Sequence, residues 1–566
     1  MNNQKLILFF VFIFSTFMLF DAWQRDQKPN TSVASVAIAG KSSPASSNAE
    51  IPTPQKDVSN SNTQSAPVGL VPASNNESKI SAIQNGGETI KVETDILLAE
   101  ISTMGGDIRH LEFKNHKGTD DKSKNFVLFR SGGNELYVSQ SGLIGKDLPN
   151  HRARYTSQSL VYRLTNDQKT LEIKLESPES NGIKVNQVYK FSRGSYVIDV
   201  GYEIENNSTQ AFQPHAYFQL VRDKTPPEGE SAMLPTYTGL AVYTQQDKFK
   251  KVSFENVDGD KLSFNKSIID HGWVAIIQHY FVSAFLPPEK MRREFYTKKL
   301  GPELYSAGTI LTGQTIEPGK KAFIGSPLYA GPSDSKLLEK LAPGFELVVD
   351  FGILTVIAVP MFMVLTWIHG WVGNWGIAII LLTVLLKAMF FPLQQASYRA
   401  MAKMKKITPK MQQIKERYAD DRQRQQKAIM ELYQKEKVNP MAGCLPILVQ
   451  MPVFISLYWT ILAAVELRHA PFYGWITDLS AKDPFYILPI LMGASMIIQT
   501  KLNPEPPDPL QAKMMKIMPI AFSIFFFFFP SGLVLYWLVN NVLSILQQWQ
   551  INRVLDQENE SPGAKA

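Results

Sequence analysis

Apolar positions in this chain follow two different periods, and the change between them divides it. From about Thr89 to Tyr329 the period is two. Leu171, Ile173 and Leu175 alternate with Glu172, Lys174 and Glu176, and Ile198, Val200, Tyr202 and Ile204 alternate with Asp199, Gly201, Glu203 and Glu205. Successive side chains on a strand point to opposite faces, so this pattern predicts half-buried strands. Asn181-Gly182, Asn206-Asn207 and Asp258-Gly259 punctuate them as turns. The pattern reads as one large antiparallel β-sandwich over residues 89–335, with one solvated face per sheet.

After Ser335 the apolar residues gather into long runs. Val348–Ile368 and Trp371–Phe391 are each long enough to cross a bilayer, which takes about 20 residues. Only His369 and Gly370 separate them. The next stretch, Pro392–Pro440, carries twelve Lys/Arg against five Asp/Glu, which predicts a cytoplasmic loop. Its apolar residues recur at helical spacing (Met401, Met404, Met411, Ile414, Tyr418, then Ile429, Leu432, Tyr433), with Asp420-Asp421 as turn and cap. The expectation for 394–440 is a basic helical hairpin. Its cluster Arg399, Lys403, Lys405, Lys406 and Lys410 is a candidate docking surface for ribosomal RNA or anionic lipid.

The N-terminal run Leu6–Phe20 follows Lys5 and lacks a small-x-small cleavage pattern before Asp21-Ala22-Trp23-Gln24. It reads as a signal anchor over 1–24, N-terminus inside, which places the sandwich outside the cytoplasm. Residues 25–88, rich in Ser, Asn, Pro, Gln and Ala, read as a flexible linker. An odd number of crossings must then join the external sandwich to the cytoplasmic loop. The run entering that loop through Phe391-Pro392 is the better span, 371–393. The run holding Asp350 and Pro360 is read, within 336–370, as a helix along the outer interface.

The remaining segments alternate. Residues 441–464 cross outward, and 465–483 form an external connector with Tyr473 and Trp475 at interface level. Residues 484–500 return to a cytoplasmic loop, 501–516. The last run is broken at Pro530-Ser531-Gly532 into a hairpin of two short spans, 517–530 and 531–550, ahead of a cytoplasmic tail, 551–566. The expected fold is a multi-domain membrane protein. It has an all-α bundle of five core transmembrane helices, an N-terminal anchor helix, an extracytoplasmic β-sandwich and a cytoplasmic hairpin.

Composition narrows the chemistry. The net charge of +7 is small, and only its placement is informative. Cys444 is the sole cysteine, so the chain forms no internal disulfide. Gly40-Lys41-Ser42 resembles the end of a phosphate loop, but Ser35 stands where a glycine is needed, and no other nucleotide fingerprint appears. Six of the eight histidines (His110, His116, His151, His215, His271 and His279) fall in the sandwich without metal spacing. No catalytic residue, metal or cofactor is expected.

The candidate site is Lys387, set inside WGIAIILLTVLLKAMFFP. A lysine at membrane depth costs roughly 2.5–3.5 kcal/mol on insertion scales, so such residues face a wet interior or snorkel to the headgroups. Thr383 lies one turn from it on the same face. Gln450 lies in the next span, and Tyr536, Trp537, Asn540 and Asn541 in the last. If these converge, they form a polar pocket around one positive charge, filled by water or by a partner from elsewhere.

These segments resemble the YidC/Oxa/Alb family of membrane protein insertases. The resemblance rests on GNWGIAIILLTVLLKAMFFPL, MAKMKKITPKMQ, KEKVNPMAGCLPILVQMPVF, ELRHAPF, DPFYILPILMG and FPSGLVLYW, in that order, and on GGDI at Gly105–Ile108. It implies a β-supersandwich akin to sugar mutarotases, without catalysis. It also implies a positively charged substrate groove, formed here by Lys387, Thr383, Gln450, Tyr536, Trp537 and Asn540, working without nucleotide hydrolysis. Implied partners are nascent membrane proteins, Sec translocon components, the ribosome, the signal-recognition receptor and the lipid bilayer, with no small-molecule substrate. The implied location is the inner membrane of a Gram-negative bacterium, with both termini cytoplasmic. Two positions depart from the family pattern: Lys387 stands where the family has Arg, and Trp537 where the bacterial members often have a second Tyr. A secondary transporter or channel, which would show inverted repeats, and a membrane-anchored carbohydrate enzyme, which would need a His–carboxylate cleft in the sandwich, are the alternatives.

Overall fold

The computed structural model describes residues 51–52 and 87–560, apart from 134, 231–235, 261–263, 265–267, 420, 437–444 and 503–508. The signal anchor, most of the linker, Gly40–Ser42 and Cys444 lie outside the described residues. The chain divides into two compact units, one of β-strands with the segments 349–363 and 455–470, the other helical.

The β unit has two nine-stranded sheets among the described residues. From edge to edge, one runs Arg293–Gly301, Leu304–Thr312, His215–Asp223, Glu135–Ile144, Asn125–Gly132, Ile108–Lys117, Leu97–Ser102, Thr89–Glu93 and Val161–Arg163. The other runs Lys248–Val252, Gly239–Thr244, Trp273–Ile277, Phe281–Phe285, Lys321–Pro332, Val197–Asn206, Ile183–Ser192, Thr170–Glu176 and Thr156–Ser157. Pairing is antiparallel except between Thr89–Glu93 and Val161–Arg163. The alternation read from the sequence holds in Val197–Asn206, where Ile198, Val200, Tyr202 and Ile204 all face the apolar core.

One solvated face per sheet does not hold at the centre. Glu135–Ile144 and His215–Asp223 are buried along almost their whole length. Their second faces carry polar side chains that satisfy one another: Gln219 donates to Gln140 at 3.0 Å and accepts from the Tyr296 hydroxyl at 2.9 Å. A buried polar group with a partner avoids the desolvation cost of an unpaired one, so these faces need no water.

At the Gly105-Gly106 turn both residues have positive φ (+83° and +66°), and a Cβ on Gly106 would overlap the Gln187 side chain. Only glycine fits there. The next residue, Asp107, is fully buried and accepts from Gln140 at 3.0 Å. Burial raises its pKa to about 6, against the pull of His151, Arg109 and Gln140.

Eight long helices are described. Thr355–Val372 (α1) buries Ala358, Met361, Phe362, Leu365 and Ile368 on one stripe and exposes Val356, Met363, Trp367 and Trp371 on the other. Asp350 lies ahead of this helix and pairs with Lys251 at 2.5 Å. Trp375–Met389 (α2) starts where Asn374 caps it, accepting from the Ile377 N–H at 3.1 Å. Phe391–Arg417 (α3) follows at a 66° bend, with Pro392 in its first turn, where a missing N–H costs nothing. By length and apolar composition α1 could cross a membrane, as could α2 and α3 taken as a bent pair.

Arg422–Lys435 (α4) is capped by Asp421, which accepts from the N–H groups of Gln423 and Arg424 at 3.1 and 3.0 Å. It pairs with α3 through Lys410–Glu436 (2.7 Å), Gln425 to the Lys415 carbonyl (3.2 Å) and Tyr433 to the Met411 sulfur (3.2 Å). Leu445–Ala463 (α5) and Ile487–Leu502 (α6) follow. Pro509–Phe525 (α7) ends in a 3-10 turn, Phe526–Phe528, and Ser531–Glu560 (α8) closes the chain. The break between them is docked: Ser531 donates from its side chain to the Asp478 carbonyl at 2.7 Å, and the Gly532 N–H donates to Leu479 at 2.9 Å. Helix α8 continues to Glu560, past residue 550, where the last apolar run ends.

Candidate functional site: a cation inside the helical unit

The helical unit differs from a soluble bundle in what it exposes, and it buries polar side chains beside apolar ones such as Ile379, Leu382 and Met492. Its exposed residues include Leu381, Val384 and Leu385 on α2, Ile490, Leu491 and Ile498 on α6, Ile517, Ile520, Ile524 and Phe525 on α7, and Val542 and Leu546 on α8. Its buried residues include Thr383, Gln394, Ser397, Ser495, Asn540, Asn541, Ser544, Gln547 and Gln548. Exposed apolar surface on this scale marks a protein whose surroundings are not water.

On α8 the polar residues form a stripe. Tyr536, Asn540 and Ser544 recur every fourth residue, so they share one face. Lys387 meets this stripe at Ser544: its Nζ donates to Ser544 Oγ at 2.6 Å and reaches Gln394 Oε1 on α3 at 3.4 Å. Both partners are neutral, and Lys387 has no carboxylate among its described contacts. It is half-buried.

The other expected groove residues divide. Gln450 donates to the Tyr536 hydroxyl, joining α5 to α8. Trp537 packs edge-on against Phe454, ring centres 4.6 Å apart, and its buried indole N–H has no partner among the described residues. Thr383 is buried and donates to its own helix at Ile379 O (2.7 Å), so its hydroxyl does not reach Lys387. Asn540 gives its carbonyl to Ser544 at 2.8 Å, and Asn541 turns to Ser495 on α6 at 3.2 Å. Sequence reasoning missed Ser544, Gln394 and Tyr398. The four-residue spacing from Tyr536 through Asn540 was the available signal for Ser544. The basic residues Arg399, Lys403, Lys405, Lys406 and Lys410 are all exposed on α3.

In the β unit, a cavity of about 710 Å³ is lined by Arg130, Glu135, Arg222, Asp223 and Glu228, among others, and by no histidine among the described residues. Asp107 and His151 lie in the interior, 1% and 8% exposed. His116 and His279 are held near pKa 4, first by burial; His279 contacts the Leu462 carbonyl at 2.6 Å and His116 contacts Tyr196 at 3.1 Å. Packing accounts for these histidines. No group of three or more metal-ligating side chains occurs among the described residues.

A β-sandwich unit followed by a helical unit that exposes apolar side chains and buries polar ones fits a membrane protein. Comparison with known proteins makes this specific. Residues 367–559 match the family model described as 60Kd inner membrane protein, and residues 89–364 match the YidC periplasmic domain. The chain is 50% identical over 566 residues to the membrane protein insertase YidC of Aromatoleum aromaticum, covering all of both chains. It is 51% identical to that of Methylobacillus flagellatus, covering 98% of this chain and 97% of the relative. It also aligns with a crystal structure of an active YidC insertase at 17% identity and a TM-score of 0.39, covering 82% of this chain and 92% of that one. The chain belongs to the YidC family of membrane protein insertases, proteins of the inner membrane.

Proposed function

We propose that the helical unit inserts nascent membrane proteins by admitting their polar, acidic segments to a hydrated groove at Lys387 and releasing the apolar segments into lipid. The single observation that carries this reading is a half-buried cation held only by neutral partners among the described residues. A cation lined with acceptors lowers the cost of bringing a carboxylate to membrane depth, and the apolar outer faces of α2, α6, α7 and α8 offer lipid beside it. Equilibrium interactions are sufficient for this, so no nucleotide hydrolysis is required.

In this reading α2, α5, α6, α7 and α8 span, and α1 lies at the outer interface with Trp367 and Trp371 as anchors. The α3–α4 hairpin and both termini are cytoplasmic in a Gram-negative cell. The exposed cluster Arg399, Lys403, Lys405, Lys406 and Lys410 faces the ribosome, the signal-recognition receptor or anionic headgroups. Sec translocon components are the expected partners outside the groove. No residue acts as a catalyst.

The test is insertion, by the full chain in liposomes, of a single-spanning substrate with an acidic translocated tail. Lys387→Ala should lower it by about tenfold or more, the scale of one charge-assisted hydrogen bond, and Lys387→Arg should preserve it. Unchanged insertion by Lys387→Ala would contradict the proposal.

A further inference from the structure

Ser544 is the point where three helices meet. A serine hydroxyl has one proton to donate and two lone pairs to accept with. In Ser544 the proton goes to the Asn540 carbonyl one turn back, at 2.8 Å. One lone pair receives Lys387 from α2 at 2.6 Å, and Tyr398 of α3 lies beside Ser544. With its proton committed to Asn540, the hydroxyl acts on Lys387 as an acceptor, and it fixes the lysine head, which would otherwise swing on a four-carbon stem. Gln394, one turn before Tyr398 on α3, adds only a long contact of 3.4 Å.

The neutrality of these partners sets their role. A carboxylate accepts from an ammonium more strongly than a neutral oxygen does, because full opposite charges attract as well. An aspartate at position 544 would hold Lys387 permanently, and an alanine would leave the cation without its short contact. A hydroxyl holds it in place yet yields to a stronger acceptor.

We infer that Ser544 is a positioning residue for Lys387: it presents the cation to an acidic residue of the incoming segment and is displaced by that carboxylate, together with Gln394. This rests on the proposed role of Lys387 and adds the group that sets its aim and its exchangeability.

The experiment uses the full chain in liposomes and one single-spanning substrate made in two forms, with acidic or amide residues in its translocated tail. The reading is the ratio of acidic-tail to neutral-tail insertion. Ser544→Ala should lower that ratio by roughly tenfold, the scale of the rotamer freedom an unpositioned lysine stem regains, Ser544→Asp should lower it at least as far by occupying Lys387, and Ser544→Thr, which restores the hydroxyl, should return it to the wild-type value. A wild-type ratio in Ser544→Ala and Ser544→Asp, while Lys387→Ala lowers it, overturns the role of Ser544 alone. A wild-type ratio in Lys387→Ala as well overturns the charge-based groove and this inference with it. Loss of the ratio in Ser544→Thr to the level of Ser544→Ala also overturns it, because packing rather than the hydroxyl would then be at work.

Discussion

At the scale of the residue, the proposed groove has a lysine at 387, where the resemblance leads one to expect an arginine. Its ammonium is a compact charge with three donors, whereas a guanidinium is a planar fork. Here it makes one short contact, to Ser544, and one long one, to Gln394. An arginine at 387 keeps the positive charge and carries more N–H donors, which is why Lys387→Arg is expected to keep activity.

Glu466 supplies a residue-scale prediction in the β unit. Burial, reinforced by nearby Asp334 and opposed by Lys336, raises its pKa to about 7. The unfolded value is 4.5. Because the folded value is the higher one, the carboxylate destabilises the fold above pH 7, and this effect disappears as the pH falls below 4.5. Glu466→Gln should raise the melting temperature at pH 8 and leave it unchanged at pH 4, read by circular dichroism on the full chain. The histidines act in the opposite sense. His116 and His279 titrate near pH 4 when folded and near 6.5 when unfolded, so their contribution is lost as the pH falls from 6.5 through 4. A melting temperature that rises steadily over that window in a His116→Phe/His279→Phe variant relative to wild type would match; parallel curves would not.

At the scale of the element, caps and close approaches hold the site. Asn374 caps α2, and Asn374→Ala should cost about 1 kcal/mol. Gly376, in the first turn of α2, has Phe472 so close that a Cβ would sit 2.0 Å from the ring. Gly376→Leu should therefore displace the connector ring and reduce folded yield far more than Gly370→Leu, where a Cβ meets open space. Size-exclusion recovery of the detergent-solubilised variants checks this.

Much of this was legible in sequence, for reasons that differ by element. The strand period, the basic hairpin and the Pro530-Ser531-Gly532 break each follow from local rules about side-chain direction, charge and turns. The double burial of Glu135–Ile144 and His215–Asp223 was not, because a polar residue reads as solvent-facing until its cross-strand partner is known. Ser544 and Gln394 were hidden for the same reason: one hydroxyl and one amide among apolar residues acquire meaning only when α8 and α3 pack beside Lys387. Thr383 and Lys387 share a face of α2 as their spacing requires, yet the threonine spends its hydroxyl on its own helix.

At the scale of the whole molecule, the chain joins two units with different chemistry. Lys387, Gln394, Gln450, Tyr536, Trp537 and Ser544 all belong to the helical unit. Removing most of residues 89–335 while keeping the chain from 336 onward should therefore leave insertion largely intact, with loss at unchanged expression as the contrary result.

The central claim is that nascent chains enter the polar groove. Its most direct test is site-specific photocrosslinking from positions 383, 450 and 537 of the full chain to a ribosome-stalled nascent membrane protein. The account predicts crosslinks from all three positions, strongest for acidic segments and weakened by Lys387→Ala. No crosslinks from any of them, with the chain folded and ribosomes bound, would contradict it and leave the polar groups around Lys387 as structure alone.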